Sequence, residues 1–215
     1  MGELLVIRHG QASFGADNYD KLSDLGHRQS EAVGQLLRDT GWVPDRTITG
    51  TLTRQKETLA SMGFEAGDTH PGLNEYDFQN LLDARYKGAV PELVKGDRKV
   101  HFRTLRETVF QWKADEIEGP AETWANFTDR VEAARLIACA EGAERVLAVS
   151  SGGGIGQLTA ASLGAPHKMM MTLNLQIKNT SITKFVFTKS AFFLHEFNAT
   201  PHLISAETAD MLTYS

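Results

Sequence analysis

Four separated segments of this 215-residue sequence carry groups that suit the binding of a phosphoryl group. They are Arg8-His9-Gly10, the run 49–54 that ends in Arg54, the segment around Glu75, and the Ser150-Ser151-Gly152-Gly153 loop. Together they offer an imidazole, two guanidiniums, a carboxylate and a glycine-rich helix start. Guanidinium groups match phosphoryl oxygens, and backbone N–H groups at a helix N-terminus add donors and a favourable dipole. These residue types therefore predict a site for a phosphoryl group.

Apolar runs predict the strands that must hold these segments together. Residues 3–7 and 145–150 are short and continuously apolar, which is typical of strands buried on both faces, and 46–50 predicts a shorter strand. Residues 181–198 alternate instead, like two antiparallel strands joined at Lys189-Ser190.

Helical patterns separate these strands. They cover 23–41, 52–63 and 122–142, and a further helix is expected to begin after Ser151. Strands that alternate with helices predict an α/β fold, with a mostly parallel central sheet flanked by helices and an antiparallel edge near the C-terminus. In an open parallel sheet, ligands bind beyond the carboxyl ends of the strands, where the four polar segments fall.

Residues 79–121 do not follow the strand–helix alternation. We interpret them as a helical cap inserted into a single domain that spans 1–215. The cap is rich in basic residues, for which a solvated face is the first interpretation and a grip on an anionic substrate the alternative. These residues are Arg85, Lys87, Lys95, Arg98, Lys99, Arg103 and Arg106.

Composition narrows the class of protein. A net charge of -5, with 41% hydrophobic and 23% charged residues, indicates a soluble globular protein and argues against nucleic-acid or anionic-membrane binding. The single cysteine, Cys139, excludes an internal disulfide and lies in a helical run, which favours a buried position over a catalytic thiol. Without a signal-like N-terminus or an apolar run of membrane-spanning length, the expected location is the cytoplasm.

Other features of the sequence bear on cofactors and partners. The histidines His70, His101, His195 and His202 are scattered, so we predict no metal, and no motif indicates another cofactor. The expected partner is a small phosphorylated substrate. The oligomeric state stays open between a monomer and a homodimer.

The order of the motifs resembles the histidine phosphatase superfamily, which includes the phosphoglycerate mutases. LLVIRHGQ is similar to the signature of that family, and ordered matches continue to about residue 184. Gly26 and Gln29 match its L-T-x-x-G-x-x-Q-A segment, while Leu52, Arg54 and Thr58 match its S-x-L-x-R-A-x-x-T segment. LNEYDF, VLAVSSGGGIG and NTSIT resemble its L-x-E, V-x-S-H-G-G-x-I and N-x-S-I-T segments.

The resemblance implies a role for each matched residue. His9 would be the nucleophile that accepts the phosphoryl group, and Arg8 and Arg54 would neutralise the phosphoryl oxygens. Glu75 would be the general acid, with Asp77 as its rival two residues later. Further phosphate contacts are expected from Gly10, whose lack of a side chain would allow a close approach, and from Gln11, Ser151 and Gly152.

Two departures from the family pattern affect the expected activity. Ser151 stands where the family has a histidine, and a serine donates a hydrogen bond but brings no positive charge. Loss of one such stabilising group typically costs about 3–4 kcal/mol of barrier, or roughly 10²–10³ in rate. If the family geometry is kept, the Ser151 side chain faces the phosphate. Gln11 stands where the mutases have glutamate, which argues against a glycolytic mutase.

Three functions remain open at the level of sequence. The first is a phosphomonoesterase that acts on a small metabolite through a phosphohistidine. The second is a phosphate-ligand binding or regulatory protein with little turnover, which the serine at position 151 makes credible. The third is a phosphoglycerate mutase-type isomerase.

Overall fold

A six-stranded mixed sheet forms the centre of the protein. The computed structural model describes residues 1–13, 20–96, 98–166 and 168–214. The strands are β1 (Gly2–Arg8), β2 (Arg46–Thr49), β3 (Asp68–Thr69), β4 (Arg145–Ser150), β5 (Ile182–Phe187) and β6 (Phe192–Ala199). Their spatial order is β3-β2-β4-β1-β5-β6. The pairs among β3, β2, β4 and β1 are parallel, whereas β5 and β6 pair antiparallel at one edge. This confirms the α/β fold predicted from the sequence.

Strand β1 is buried on both faces, as its continuous apolar run predicts. Leu4 and Val6 point into one hydrophobic cluster, which also contains Phe127. Leu5 and Ile7 alternate with them and point into a second cluster on the other face of the sheet. Because β1 and β4 are parallel and Arg8 pairs with Ser150, the residues that follow the two strands emerge at the same edge.

Eight α-helices lie within the described residues. They are α1 (Asp24–Asp39), α2 (Thr53–Ser61), α3 (Phe78–Tyr86), α4 (Glu92–Gly96), α5 (Arg98–Lys113), α6 (Trp124–Ala138), α7 (Gly152–Ser162) and α8 (Met169–Asn174). Short 3₁₀ turns cover Pro71–Leu73, Pro201–Leu203 and Ala209–Met211. Among the described residues, no helix has the length and apolar character needed to cross a membrane.

Helix α6 ends earlier than the pattern over 122–142 predicts. Thr123 caps its N-terminus by accepting a hydrogen bond from the Asn126 N–H, and Cys139 is its C-cap residue. Burial raises the pKa of the Cys139 thiol to about 11, so the sulfur stays protonated at neutral pH. Cys139 is half-buried and packs against the hydrophobic core, so it is less buried than expected, and its raised pKa disfavours a catalytic thiol.

Helices α3, α4 and α5 occupy the segment interpreted as a cap. Arg85 is half-buried and donates to Thr108 Oγ1 over 2.7 Å, while Lys87 forms an exposed ion pair with Glu118. Lys99, Arg103 and Arg106 are exposed, and the side chains of Lys95 and Arg98 lie outside the described part. The described basic residues of the cap therefore make local contacts or face solvent.

Candidate active site

His9 follows β1 directly and is held by backbone contacts on both sides. Its N–H donates to Ser150 O over 2.9 Å, and its carbonyl accepts from Asn179 Nδ2 over 3.1 Å. In the ring, Nδ1 lies 2.8 Å from Gly10 O. A carbonyl oxygen only accepts hydrogen bonds, so Nδ1 must carry the proton and Nε2 keeps its lone pair.

Arg54 lies against that lone pair. Its Nε donates to His9 Nε2 over 3.3 Å, which is consistent with the tautomer fixed by Gly10. The pKa of His9 lies well below its usual value, first because the ring is buried and then because Arg8 and Arg54 repel a second positive charge. The imidazole is therefore neutral at pH 7, as an attacking nitrogen must be.

Asp20 positions Arg54, and sequence reasoning missed it. Asp20 Oδ1 lies 2.8 Å from Arg54 Nη1, and Asp20 Oδ2 accepts the Thr53 N–H over 2.8 Å. A cation in the first turn of a helix is unfavourable, and this carboxylate offsets that cost from the same end of α2. Asp20 belongs to no recognised motif, so the sequence alone carried no signal for it.

Arg8 extends towards a different neighbourhood. Its Nη1 donates to Ile177 O and, over 2.6 Å, to Tyr214 O. Its side chain lines an open pocket of about 430 Å³ that Glu75 also lines. The two predicted guanidiniums thus occupy different surroundings, with Arg54 on the His9 ring and Arg8 at the wall of the pocket.

The structure separates Glu75 from its rival Asp77. The Glu75 carboxylate accepts the Gly153 N–H at the start of α7, with Gly153 N 3.1 Å from one oxygen and 3.0 Å from the other. A Cβ at Gly153 would lie 2.1 Å from Glu75 Oε1, so only glycine allows this approach. Asp77 is exposed and caps α3 by accepting the Asn80 N–H over 2.9 Å. Of the two carboxylates, Glu75 is the one that lines the pocket.

Ser151 does not have the surroundings expected for it. The residue is completely buried, and its Oγ accepts a hydrogen bond from Gln55 Nε2 over 2.9 Å. Gln55 is also completely buried and donates to Leu73 O over 2.7 Å. Its Oε1 accepts the Leu52 N–H over 3.3 Å. The Ser151 side chain therefore faces the amide of Gln55 in α2, whereas the family geometry, if kept, would have placed it towards the phosphate.

Three departures from the family-like pattern meet at this point. Gly50 and Gln55 stand where the S-x-L-x-R-A-x-x-T pattern has serine and alanine, and Ser151 stands where the family has histidine. A Cβ at Gly50 would lie 1.9 Å from Gln55 Oε1. The longer side chain at position 55 is thus accommodated by shorter ones at 50 and 151. Both departures near α2 were visible in the sequence, but the contact of Gln55 with Ser151 was not.

Gly10 has a packing reason to be glycine. A Cβ there would lie 2.5 Å from Gly26 O, and the Gly10 N–H donates to Thr58 Oγ1 over 3.0 Å. The structure thus shows contacts with α1 and α2 at this residue, and its expected approach to phosphate stays a prediction. The same holds for Gln11, whose N–H donates to Gln29 Oε1 over 2.9 Å.

The expected contact of Gly152 with phosphate also stays a prediction. It is buried at the start of α7, where a Cβ would lie 2.3 Å from Asn174 Oδ1. Within the described residues, no group of three or more His, Cys, Asp or Glu side chains is arranged to hold a metal ion.

The C-terminal segment is attached to the loop that carries His9. Asn179 Oδ1 accepts from Thr213 Oγ1 over 2.9 Å, while the other end of the Asn179 amide donates to His9 O. Gln29 Nε2 donates to Met211 O over 2.6 Å and to Thr213 Oγ1 over 2.8 Å. The family-like residues Gln29 and Asn179 therefore support the site through the backbone.

Comparisons with known proteins identify the family of this chain. A family model described as histidine phosphatase superfamily (branch 1) matches residues 4–200. Among curated proteins, a 2,3-bisphosphoglycerate-dependent phosphoglycerate mutase from Chelativorans sp. (strain BNC1) is 32% identical over 117 residues, covering 46% of this chain and 53% of the relative. A mutase of the same name from Corynebacterium diphtheriae is 29% identical over 106 residues, covering 46% and 41% of the two chains. The chain thus spans about half or less of the length of these relatives.

Solved structures share the fold at low sequence identity. A phosphoserine phosphatase from Entamoeba histolytica in complex with phosphoserine has a TM-score of 0.67 at 20% identity, covering 95% of this chain and 100% of the other. A mycobacterial glucosyl-3-phosphoglycerate phosphatase has a TM-score of 0.64 at 22% identity, covering 93% and 100%. With the family model matching most of its length, this chain belongs to branch 1 of the histidine phosphatase superfamily.

Proposed function

We propose that this protein is a phosphomonoesterase that hydrolyses a small phosphorylated metabolite through a phosphohistidine at His9. The observation that carries the proposal is the His9 ring, which is neutral, buried and oriented so that Nε2 keeps its lone pair beside Arg54. The names of the two structural neighbours, both phosphatases, support the same class of reaction.

The proposed reaction divides one displacement into two. His9 Nε2 attacks phosphorus as the ester P–O bond breaks, and protonated Glu75 gives its proton to the departing oxygen. Glu75, now ionised, then takes a proton from water as the water oxygen attacks phosphorus and the P–N bond breaks. Arg54 neutralises charge on the phosphoryl oxygens, with Arg8 as the second cation. No step requires a metal.

A binding protein with little turnover is the second candidate. It is favoured by the contact between Ser151 and Gln55, which puts a neutral pair of side chains where the family has a cationic donor. By the usual cost of losing such a donor, hydrolysis would be slower by roughly 10²–10³. The site would then act mainly by binding a phosphorylated ligand.

Rapid-quench labelling separates these functions and the mutase alternative. The protein is mixed with ³²P-labelled 4-nitrophenyl phosphate, quenched into alkaline detergent, and the protein-bound label is followed in time. A transient label with release of phosphate supports the phosphatase. A label that outlasts many turnover times would favour a mutase, and phosphate binding without any label would favour the binding protein.

A further inference from the structure

The pocket beside the proposed proton donor has an apolar wall. It is lined by Phe78 at the start of α3, by Phe102 and Leu105 from α5, by Leu175 and Tyr214, and by Tyr76, Asn174, Arg8 and Glu75. Its volume of about 430 Å³ lies within the range of roughly 300–1,000 Å³ that small-molecule sites occupy. The apolar side chains come from separate parts of the chain and converge on one opening.

The position of Glu75 indicates which part of a substrate this pocket would hold. In the proposed reaction, Glu75 protonates the leaving oxygen, so the alcohol part of the ester must lie on the Glu75 side of the phosphoryl group. Because Glu75 lines the pocket, the alcohol part would enter it. The apolar wall is then in contact with the leaving group and not with the phosphoryl oxygens.

The charges around the pocket disfavour a second anionic group on the substrate. Among the described residues that line it, Arg8 is the one cation, and its Nη1 donates to two backbone carbonyls. A carboxylate on the leaving group would lie against the apolar wall, and burying a charge without a partner is unfavourable. The exposed cap residues Lys99, Arg103 and Arg106 do not line this pocket.

The phenol of Tyr76, in the wall of the pocket, stays protonated and therefore uncharged at neutral pH. Tyr76 is buried, and its phenol oxygen accepts from Asn174 Nδ2 over 3.1 Å. Burial and the nearby Glu75 charge raise the pKa of Tyr76 well above its usual value. Aromatic rings of this kind favour contact with another ring in an edge-to-face or offset arrangement.

We propose that the substrate is a phosphate monoester of an apolar, ring-bearing alcohol, with the ring seated against Phe78, Phe102 and Leu105. This inference rests on the proposed phosphatase function and narrows its substrate class. A phosphorylated carboxylic acid such as phosphoserine or 3-phosphoglycerate is a poor fit, since its carboxylate would meet the hydrocarbon of this wall.

The test compares phosphate monoesters of primary alcohols whose alcohol part bears a phenyl ring, a carboxylate or only a methyl group. Benzyl phosphate, O-phosphoserine, 3-phosphoglycerate and ethyl phosphate are each supplied to the full chain, and phosphate release gives kcat/KM. We expect benzyl phosphate to exceed the two carboxylates by about tenfold or more, because its ring moves from water to the apolar wall.

Variants then locate the ring-binding surface. Phe102→Ala and Leu105→Ala should each lower the ratio of kcat/KM for benzyl phosphate over ethyl phosphate several-fold. The control is Leu93→Ala, which removes an aliphatic side chain that is 63% exposed on the same cap and does not line the pocket. A ratio of two substrates in one preparation is insensitive to a loss of folded protein.

Different results would contradict the substrate class and the phosphatase function. Turnover with phosphoserine or 3-phosphoglycerate preferred over benzyl phosphate would overturn the substrate class and leave the phosphatase function standing. An unchanged ratio in Phe102→Ala and in Leu105→Ala would also overturn it. Absence of turnover and of protein-bound phosphate with every ester would overturn the phosphatase function, and the substrate class with it.

Discussion

The carboxyl ends of β1 and β4 lie side by side, but the residues that follow them differ in what they offer a ligand. After β1, the ring of His9 presents Nε2 as a hydrogen-bond acceptor to the guanidinium of Arg54. After β4, Ser151 is completely buried, and its hydroxyl oxygen is engaged by the Gln55 amide. Both positions are buried and polar, yet only the first combines the proposed nucleophile with a cation.

This difference indicates that the histidine after β1 can keep family-like surroundings while the residue after β4 changes its contacts. At β4, the α7 N-terminus binds the Glu75 carboxylate through the Gly153 N–H. The β4 end therefore holds the proposed general acid, while the β1 end holds the proposed nucleophile. Removing a side chain at the β1 end should therefore lower turnover more than removing one at the β4 end.

The largest expected effect comes from the β1 end. His9→Ala removes the attacking nitrogen, so turnover of 4-nitrophenyl phosphate should fall on the order of 10³-fold or more. Thermal stability should change little, because the backbone contacts of residue 9 remain. Steady-state kinetics and a melting curve on the same preparation check both statements, and full activity in His9→Ala would contradict the role of His9.

Arg54→Ala should have the next largest effect. It removes positive charge from both the bound state and the transition state, so vanadate binding should weaken and turnover should fall by roughly 10²–10³. Asp20→Asn is the milder companion variant, because it keeps Arg54 and removes the charge that holds it. A wild-type inhibition constant for vanadate in Arg54→Ala would show that Arg54 does not contact the phosphoryl group.

The sequence was sufficient to predict the strand and the polar residues at the β1 end, but it was insufficient to predict the side-chain contacts at the β4 end. A continuous apolar run followed by Arg8-His9-Gly10 predicted both the buried strand and the polar group at its end. The contact of Gln55 with Ser151 joins residues 96 positions apart, so no local pattern could reveal it. The packing role of Gly10 was hidden for the same reason, because the Gly26 carbonyl that leaves no room for a Cβ there belongs to helix α1.

The β4 end can be tested by restoring an imidazole. Ser151→His alone should fail to raise activity, because the new ring meets Gln55 in a fully packed site, at a cost of about 1–3 kcal/mol in stability. Ser151→His with Gln55→Ala frees that space and should raise turnover of an aryl phosphate about tenfold. The gain should stay below roughly 10²–10³, because the surrounding residues were not shaped for an imidazole.

Gln55→Ala alone is the control for that pair. It opens the same space without adding an imidazole, so it should lower stability by about 1–3 kcal/mol through lost buried hydrogen bonds and should not raise turnover. An equal gain in Ser151→His with and without Gln55→Ala would contradict the packing argument.

The smallest expected effect is on the titration of His9. Its pKa is depressed, so the ring should remain neutral as the pH falls to 6.5, and the acid limb of titration should lie below that value. The unfolded chain then binds the proton more readily, so the free energy of unfolding should decrease as the pH falls below 6.5. Arg54→Ala should raise this pKa only in part, because burial is the larger cause. An NMR titration of labelled histidine, assigned with His9→Ala, measures the shift.

The nitrogen that carries the phosphoryl group tests the central claim most directly. Glu75→Gln should slow hydrolysis of the phosphohistidine, while 4-nitrophenyl phosphate, whose leaving group needs little protonation, still forms it. After alkaline quench, NMR of ¹⁵N-histidine-labelled protein identifies the modified atom. We expect phosphate on Nε2 of His9, because Nδ1 donates to Gly10 O, and none in the His9→Ala version of the same variant. Phosphate on Nδ1, or on another residue when His9 is replaced, would contradict the account.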